Sequence, residues 1–366
     1  MPLNINREAL NAAVQAIASV AKKDAINPAA SMAFLSVEGG KATVKATDGD
    51  NWLSLTATGD GTTADASIQV EAAKLNDLIG KLSGDTVKLD IAGGYLLLSS
   101  GKGSKRKLAG VATVYPELPP IDGEAVAVDV DAFRAAVEFC APNVSGLDRP
   151  TFNGVRLEAG HAVAYNGAGL TAAAIATPFN PVTLRTGTLK LLKWLPSGSS
   201  VNVTVSERLI ALDWDGGRIA SKIGEGAWTF MSKGVDAIIP EHDWTLKAHP
   251  AALLGAINAV AVLAADDTGS KSKMIVLRLS GEGCSVHTKS AAGSGEEPLD
   301  AEWTGGDLEI NLSGGRLRQI LAGFDADKDV TIGITPLPSE AGGAVKGCVF
   351  RQDSKPGFVG MLAQIR

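Results

Sequence analysis

The stretch Leu10-Asn11-Ala12-Ala13-Val14 decides the fold of this chain, because two later stretches repeat its apolar helical pattern. The second copy reads Phe133-Arg134-Ala135-Ala136-Val137 and the third reads Leu253-Leu254-Gly255-Ala256-Ile257, so the copies lie 123 and 120 residues apart. Self-similarity at a nearly constant period indicates one structural unit that is used three times. Each period is long enough to form a small domain.

The landmarks that follow each of these helices keep the same order in all three copies. A pair of strands with a tight connection is predicted at residues 34–44, 154–163 and 275–286. A second helix is predicted at residues 75–82, 189–195 and 317–324, and an alternating strand at 87–91, 201–205 and 330–334. Strict alternation of apolar and polar residues indicates strands with one buried face. The sequence therefore predicts an α+β fold of three tandem helix–sheet–helix–sheet modules.

Two proline-containing stretches separate the copies, at residues 115–123 and 239–244. Proline fixes the backbone and removes a hydrogen-bond donor, so such stretches rarely continue a helix or an inner strand. They predict three domains, at residues 1–122, 123–243 and 244–366. Both links are short, which favours domains held in a fixed relation.

Composition narrows the class of protein. The chain has 366 residues, of which 45% are hydrophobic. Its formal net charge of −6 argues against a surface that is basic all over, but it allows one basic face. Cys140, Cys284 and Cys348 lie far apart and predict reduced, buried thiols in a cytosolic protein. The apolar runs are too short for a bilayer span and the first residues lack a signal-peptide pattern, so we expect no membrane anchor.

The sequence offers no recognisable catalytic site. Its four histidines are never one helical turn apart, and Cys-x-x-Cys, His-Glu-x-x-His and Gly-x-Ser-x-Gly are all missing from it. Residues 100–105 weakly resemble a phosphate-binding loop, but a strand follows them where a helix N-terminus is needed. The acidic pairs Asp266-Asp267 and Glu296-Glu297 lie in polar stretches and are interpreted as solvated surface. We expect no catalysis, no cofactor and no metal.

The order and spacing of these landmarks resemble the bacterial DNA polymerase III beta subunit family, the processivity sliding clamps, along essentially the full length. The resemblance rests on Ala46-Thr47-Asp48, residues 68–82, Tyr115-Pro116-Glu117-Leu118-Pro119, residues 149–155, Tyr165-Asn166-Gly167-Ala168-Gly169-Leu170 and residues 303–321. The chain departs from the family pattern at residues 165–170, where a histidine and an arginine are missing, and at residues 359–366. It is therefore similar to a divergent member.

The resemblance implies half of a six-domain ring, closed by head-to-tail dimerisation into a homodimer that encircles double-stranded DNA without sequence specificity. Its implied partners are the DNA polymerase III catalytic subunit, the clamp loader and other proteins that carry a clamp-binding motif. A ring that slides must hold DNA through phosphates and not through bases. Such a protein acts as a non-catalytic processivity factor in the cytoplasm.

The resemblance also implies three sets of site residues. Phosphate contacts are predicted from basic residues on or beside the inward helices: Lys22, Lys23, Lys74, Lys81, Arg134, Arg149, Arg185, Lys190, Lys193, Arg316 and Arg318. An apolar pocket for a partner peptide bearing Leu or Phe is predicted from Phe152, Tyr165, Gly167, Gly169, Leu170, Ile238, Val359, Met361 and Leu362. The dimer seam is predicted from Lys102, Lys105, Arg106 and Leu108 facing Ala261, Val262, Leu263, Glu296 and Glu297.

Each set has a simpler interpretation that stays open at this point. The basic residues could be an ordinary solvated helix face, residues 102–107 a solvated basic strand, and Phe152 and Leu170 plain core. Two other classes of function also remain: a clamp-fold, β-rich scaffold that does not serve replication, and an enzyme with an unrecognised site.

Overall fold

A computed structural model describes residues 2–22, 26–61, 64–101, 103–112, 114–146, 150–229, 235, 237–263, 274–291, 293–336 and 345–365. Over these residues the helices are α1 (Arg7–Val20), α2 (Ala72–Gly80), α3 (Val130–Cys140), α4 (Thr186–Leu189), α5 (Pro250–Ala261) and α6 (Gly314–Leu321). Short 3-10 helices cover Pro28–Ser31, Ala141–Asn143, Pro150–Phe152 and Leu192–Trp194. None of the helices in the described part of the chain is long and apolar enough to cross a membrane.

The strands are mostly four to eight residues long, as expected for a chain rich in glycine turns. They are β1 (Leu3–Asn6), β2 (Met32–Glu38), β3 (Lys41–Thr47), β4 (Asn51–Asp60), β5 (Ala66–Glu71), β6 (Thr86–Ala92), β7 (Tyr95–Ser100), β8 (Ser104–Ala109), β9 (Ala125–Asp129), β10 (Gly154–Glu158), β11 (His161–Tyr165), β12 (Gly169–Ala174), β13 (Val182–Arg185), β14 (Ser200–Val205), β15 (Leu209–Trp214), β16 (Gly217–Lys222), β17 (Trp244–Ala248), β18 (Met274–Ser280), β19 (Gly283–Ser290), β20 (Gly293–Leu299), β21 (Glu302–Trp303), β22 (Leu308–Ser313), β23 (Val330–Pro336), β24 (Val345–Arg351) and β25 (Phe358–Leu362).

Local chemistry sets where the helices begin and which face they bury. The Asn6 side chain accepts a hydrogen bond from the Ala9 N–H at 3.0 Å and so caps α1. Leu10, Val14 and Ile17 then recur at helical spacing and are buried. The Ser313 hydroxyl caps α6 in the same way by accepting from the Arg316 N–H. The predicted first helix of each copy is confirmed.

The chain forms two compact units. The first comprises residues 1–130 and 190–223 and holds one sheet, whose main strand order is β8-β7-β6-β1-β4-β16-β15-β14-β9. Strands β2, β3 and β5 attach to this sheet through the pairing of β3 with β4. Helices α1 and α2 pack on each other within this unit. The pairing of β4 with β16 joins strands of the first and second sequence copies.

The second unit comprises residues 131–189 and 224–366 and holds two sheets. One has the order β13-β10-β11-β12-β25-β24-β23-β17-β21, and the other has the order β20-β19-β18-β22. Helix α5 packs on the four-stranded sheet and on α6. The pairing of β12 with β25 joins strands of the second and third copies. Each unit thus carries one sheet that continues across a copy boundary, as the repeat predicts.

The strand predictions are confirmed in all three copies, but one helix prediction is wrong. In place of a helix over residues 189–195, the chain forms the four-residue α4 and the 3-10 helix Leu192–Trp194. Leu192 and Leu195 are both buried, and their spacing of three suits a 3-10 turn as well as an α-helix. All three cysteines are free and buried, as predicted. The division into three domains stays a prediction.

Candidate functional site

The second unit contains a pocket of about 370 Å³ where β12 runs beside β25. Seven residues of the predicted peptide pocket line it: Tyr165, Gly167, Gly169, Leu170, Ile238, Met361 and Leu362. The sequence did not point to the other lining residues, which are Ala168, Pro240, Gly347, Cys348, Val349 and Ala363. We call this set the apolar pocket.

A tight connection between β11 and β12 forms one rim of the apolar pocket. The Asn166 side chain accepts hydrogen bonds from the Ala168 and Gly169 N–H groups, at 3.2 and 2.8 Å. Gly167 has a φ of +91°, a backbone conformation that residues other than glycine rarely adopt. The Asn166 amide also donates to Asn143 Oδ1 at 3.1 Å, which fixes the turn to the 3-10 helix that follows α3.

Strand β25 forms the opposite rim. Gly169 pairs with Leu362 and Leu170 with Met361, and the Ala363 N–H donates to the Ala168 carbonyl at 2.7 Å. A Cβ atom on Gly169 would lie 3.2 Å from the Met361 carbonyl oxygen, so a larger residue would push the two strands apart. The close approach therefore depends on glycine at this position.

Aromatic rings support the pocket from behind. Phe152 packs edge-to-face on Tyr165 and on Trp228, with ring centroids 5.2 and 5.1 Å apart. The Trp228 indole N–H donates to the Thr151 carbonyl at 3.0 Å. Phe152 and Tyr165 pack against the buried cluster of Val163, Leu170, Ala172, Trp228 and Val235. Phe152 thus packs behind the pocket, and neither Phe152 nor Val359 is among the described residues that line the cavity.

The chemistry of the apolar pocket is that of a receptor for uncharged side chains. Its lining carries no charged side chain among the described residues. Burial raises the pKa of the Cys348 thiol to about 12, so this wall residue is neutral at physiological pH. A recess of this kind gains affinity from a few buried apolar anchors.

The first unit brings some of the predicted phosphate-binding residues together. The Trp194 indole donates to the Ser19 hydroxyl at 3.3 Å, which joins the 3-10 helix Leu192–Trp194 to the end of α1. Lys22, just beyond α1, and Lys193, whose Nζ lies 4.9 Å from the Trp194 ring, are both exposed. Two of the predicted lysines form ion pairs within the chain. Lys22 Nζ lies 3.6 Å from the Asp48 carboxylate, and Lys74 Nζ lies 2.6 Å from the Glu71 carboxylate. Lys81 and Lys190 are exposed.

In the second unit the predicted basic residues differ in accessibility. The Arg134 side chain is only 18% exposed and lies 3.8 Å from Asp131, which limits its reach to a ligand. Arg318 donates to Asn258 Oδ1 at 3.0 Å and thereby joins α6 to α5. Arg316 is half-buried and Arg185 is exposed at the end of β13. Lys23 and Arg149 lie outside the described residues.

The predicted seam residues lie on two sheet edges, one in each unit. Strand β8 carries Lys105, Arg106 and Leu108 and is the outer strand of the first-unit sheet. Its strand neighbour β7 supplies Tyr95, whose ring lies 3.6 Å from Lys107 Nζ. Lys102 lies outside the described residues. Edge strands of this kind are ready to pair with another chain.

The other edge is β20, which carries Glu296 and Glu297. A hydrogen bond from Ser285 at 2.7 Å, together with Arg278 at 3.4 Å, lowers the pKa of Glu296 and holds its carboxylate within its own sheet. Beside this edge, Val262 is 79% exposed, and the Leu263 carbonyl accepts from the Ser290 hydroxyl. Ala261 is buried at the end of α5. Glu296, Glu297 and Val262 are all exposed, but only Glu296 is held by neighbours within its own sheet.

Known proteins share the fold of this chain. Residues 1–119 match the family described as DNA polymerase III beta subunit, N-terminal domain. Over 100% of both chains, the fold matches the Pseudomonas aeruginosa DNA polymerase III subunit beta bound to griselimycin, with a TM-score of 0.88 and 20% identity. The beta subunit from Streptococcus pyogenes DNA polymerase also matches over 100% of both chains, with a TM-score of 0.87 and 18% identity.

A third solved structure, the Bacillus subtilis DNA polymerase sliding clamp, covers both chains completely with a TM-score of 0.84 and 17% identity. A search of the curated proteins finds no match. The predicted resemblance is thus confirmed by the family match over residues 1–119 and by the fold over the whole chain.

Proposed function

We propose that this chain is a DNA sliding clamp, a processivity factor that encircles duplex DNA and tethers a replicative polymerase without catalysing a reaction. The observation that carries the proposal is the fold match over the full length of bacterial clamps, joined to the family match of residues 1–119. Two copies bind head to tail, so the same two different surfaces meet at both seams. Such contacts form a closed ring when the rotations that relate successive copies add up to a full turn. The three domains are residues 1–122, 123–243 and 244–366.

DNA passes through the ring and is held by phosphate contacts alone. In the first unit the exposed Lys22, Lys74, Lys81, Lys190 and Lys193 serve this role, because their side chains can reach a ligand. Arg185 and Arg316 serve this role in the second unit. The low exposure of the Arg134 side chain, together with its closeness to Asp131, supports a structural role for that residue instead.

The seam joins β8 of one subunit to β20 of the next. Lys105 and Arg106 face Glu297, since Glu296 already has partners in its own sheet. Leu108 packs on the exposed Val262. Rim charges of this kind set orientation and contribute little affinity, so high salt weakens the dimer modestly.

The apolar pocket receives the linear motif of the polymerase, the clamp loader and other partners. Its uncharged lining supports a ligand anchored by leucine or phenylalanine side chains. The protein works on DNA in the cell interior, and we place it in the cytoplasm.

A topological experiment tests the function. The protein is loaded onto a nicked circular plasmid by the clamp loader of its own cell, and the plasmid is then cut once. We expect a dimer of twice the 37.6 kDa chain mass that stays on the circle through gel filtration and leaves after the cut. Plasmid cut before loading is the control. Equal retention on both templates contradicts a ring, and loss from both favours a scaffold that keeps the clamp fold.

A further inference from the structure

The first unit holds a second recess, of about 550 Å³, at the place in the repeat that matches the apolar pocket. Both recesses lie where a strand of one copy pairs with a strand of the next, β4 with β16 here and β12 with β25 there. In both, the segment that links two copies supplies part of the wall, Tyr115 and Glu117 here. We call this recess the aromatic pocket.

Three aromatic side chains form the body of the aromatic pocket. Phe34 and Tyr115 are tilted against each other with ring centroids 5.4 Å apart. Trp52 is 9% exposed, and its indole N–H donates to the Pro116 carbonyl at 3.3 Å, which fixes the link to the sheet. Trp52 also packs in a cluster with the link residues Leu118 and Ile121. The recess therefore has a rigid, apolar body.

Two hydrogen-bond donors belong to residues that line this recess, Lys45 and Tyr115. Lys45 Nζ lies 5.9 Å from the centroid of the Phe34 ring, and this half-buried lysine has no ion pair among the described residues. The Tyr115 hydroxyl likewise has no hydrogen-bond partner in the described part of the chain, and burial raises its pKa, so it remains a neutral donor. A cation and a phenol beside an apolar body suit a ligand that carries a carboxylate next to a ring.

Two further charged residues, Arg218 and Glu117, line the aromatic pocket. Arg218 is held by Asp213 through two hydrogen bonds to the carboxylate, which also raise the pKa of the guanidinium. Glu117 is exposed on the link. Among the described lining residues, Lys45 is thus the cation without an ion pair and Glu117 is the one carboxylate, so a ligand carboxylate must bind on Lys45 and away from Glu117.

We propose that the aromatic pocket is a second peptide-binding site, which takes an aromatic side chain followed by a carboxylate residue. Strand β4 already pairs with β1, β3 and β16, so the peptide binds through side-chain anchors and not by strand addition. The site is distinct from the apolar pocket, whose described lining carries no charge. The proposal does not depend on the sliding-clamp function, because it rests on the lining of the aromatic pocket and not on ring closure or DNA binding.

The test uses the full chain labelled with 5-fluorotryptophan and observed by fluorine NMR. Trp52 reports on the aromatic pocket and Trp228 on the apolar pocket, while Trp244 and Trp303 serve as internal references; Trp52→Phe assigns the first signal. The probes are the capped peptides acetyl-Phe-Glu-Ala-amide and acetyl-Phe-Gln-Ala-amide. We expect the Glu peptide to shift the Trp52 signal saturably and to bind about three- to fivefold tighter than the Gln peptide.

Two variants locate the effect. Lys45→Met should remove the preference for the Glu peptide, and Tyr115→Phe should weaken the Glu peptide while leaving the rings in place. Lys41→Met is the matched control, since Lys41 is an exposed lysine on the same strand, and it should retain the preference. The proposal is overturned if neither peptide shifts Trp52, if Lys45→Met keeps the preference, or if acetyl-phenylalanine amide binds as tightly as the Glu peptide.

Discussion

The apolar and aromatic pockets occupy matching places in the repeat, yet their walls have different chemistry. Both form at the junction of two copies, where a strand pair crosses the boundary and a linking segment covers it. The described lining of the apolar pocket is uncharged, whereas Lys45, Glu117 and Arg218 stand among the rings of the aromatic pocket. Backbone pairing thus supplies a recess at each boundary, and the side chains decide what each can bind.

Removing residues 358–366 should give the largest difference between the two pockets, because it should damage the apolar pocket and leave the aromatic pocket intact. The deletion takes out β25, which lies between β12 and β24, together with the buried Val359 and Leu362. We expect the second unit to lose at least about 5 kcal/mol of stability. Thermal unfolding followed by fluorine NMR should show early loss of the Trp228 signal and an unchanged Trp52 signal. A chain lacking only residues 364–366 is the control, and an unaltered Trp228 transition would contradict the expectation.

Trp52→Ala should act on the aromatic pocket alone. The side chain is nearly buried and holds the link to the sheet, so its removal should destabilise the first unit by about 3–5 kcal/mol. Denaturant unfolding measures the loss, and binding at the apolar pocket should be unaffected. Trp52→Phe, which keeps a ring, should have a much smaller effect. Equal losses for both variants would mean that the ring does not hold the link.

Met361→Ala should act on the apolar pocket alone. Met361 is half-buried and lines the cavity, so truncation removes a ligand contact at little cost to folding. We expect about tenfold weaker binding of a clamp-motif peptide, measured by calorimetry. Met274→Ala, a change at an exposed methionine on β18, is the matched control. Unchanged affinity would remove Met361 from the binding surface.

The smallest effect concerns the turn between β24 and β25, which belongs to the second unit. Hydrogen bonds from Ser354 and Lys355 lower the pKa of Asp325. A carboxyl whose folded pKa lies below its unfolded value, about 3.9, stabilises the fold above that pH. The contribution disappears as the pH falls through the folded pKa.

Ser354→Ala should therefore raise the pKa of Asp325 and reduce stability at neutral pH, with the difference from the parent vanishing in acid. Carbon NMR of the Asp325 carboxyl as a function of pH measures the shift. Ser294→Ala, at an exposed serine on β20, should leave it unchanged. An unmoved Asp325 titration in the Ser354 variant would show that this hydrogen bond does not matter.

Much of the fold could be predicted because the sequence pattern of each helix and strand occurs three times, once in each copy of the repeat. Where a single copy was ambiguous, the prediction failed: the stretch around Leu192 has apolar residues at a spacing of three, which fits two helix types. Gly187 and Pro196 bound the stretch but do not choose between them. The helix type here is therefore set by tertiary packing, in which Leu192 and Leu195 are buried, and not by the local sequence.

The pockets were predictable only in part. Tyr165, Leu170 and Met361 followed from position-by-position resemblance, whereas Pro240 and Val349 come from distant segments that only strand pairing brings near. The aromatic pocket gave no signal, because Trp52 and Phe34 look like ordinary core and Tyr115 falls in a domain boundary. A sequence pattern reports which residues are buried more readily than which buried residues border a cavity.

The interleaving of the units has a consequence for synthesis on the ribosome. The first unit has all of its residues once position 223 has emerged, whereas the central strand β25 of the second unit comes from residues 358–362. At about 5–20 residues per second, synthesis from residue 223 to residue 362 takes roughly 7–28 seconds, and β12 lacks its β25 partner throughout. During that interval the β12 edge can pair with a wrong partner, and the β24 edge can do so once residue 351 has been made. Nascent chains should therefore depend on chaperones late in translation, and slow codons before residue 358 should lower the yield of folded protein.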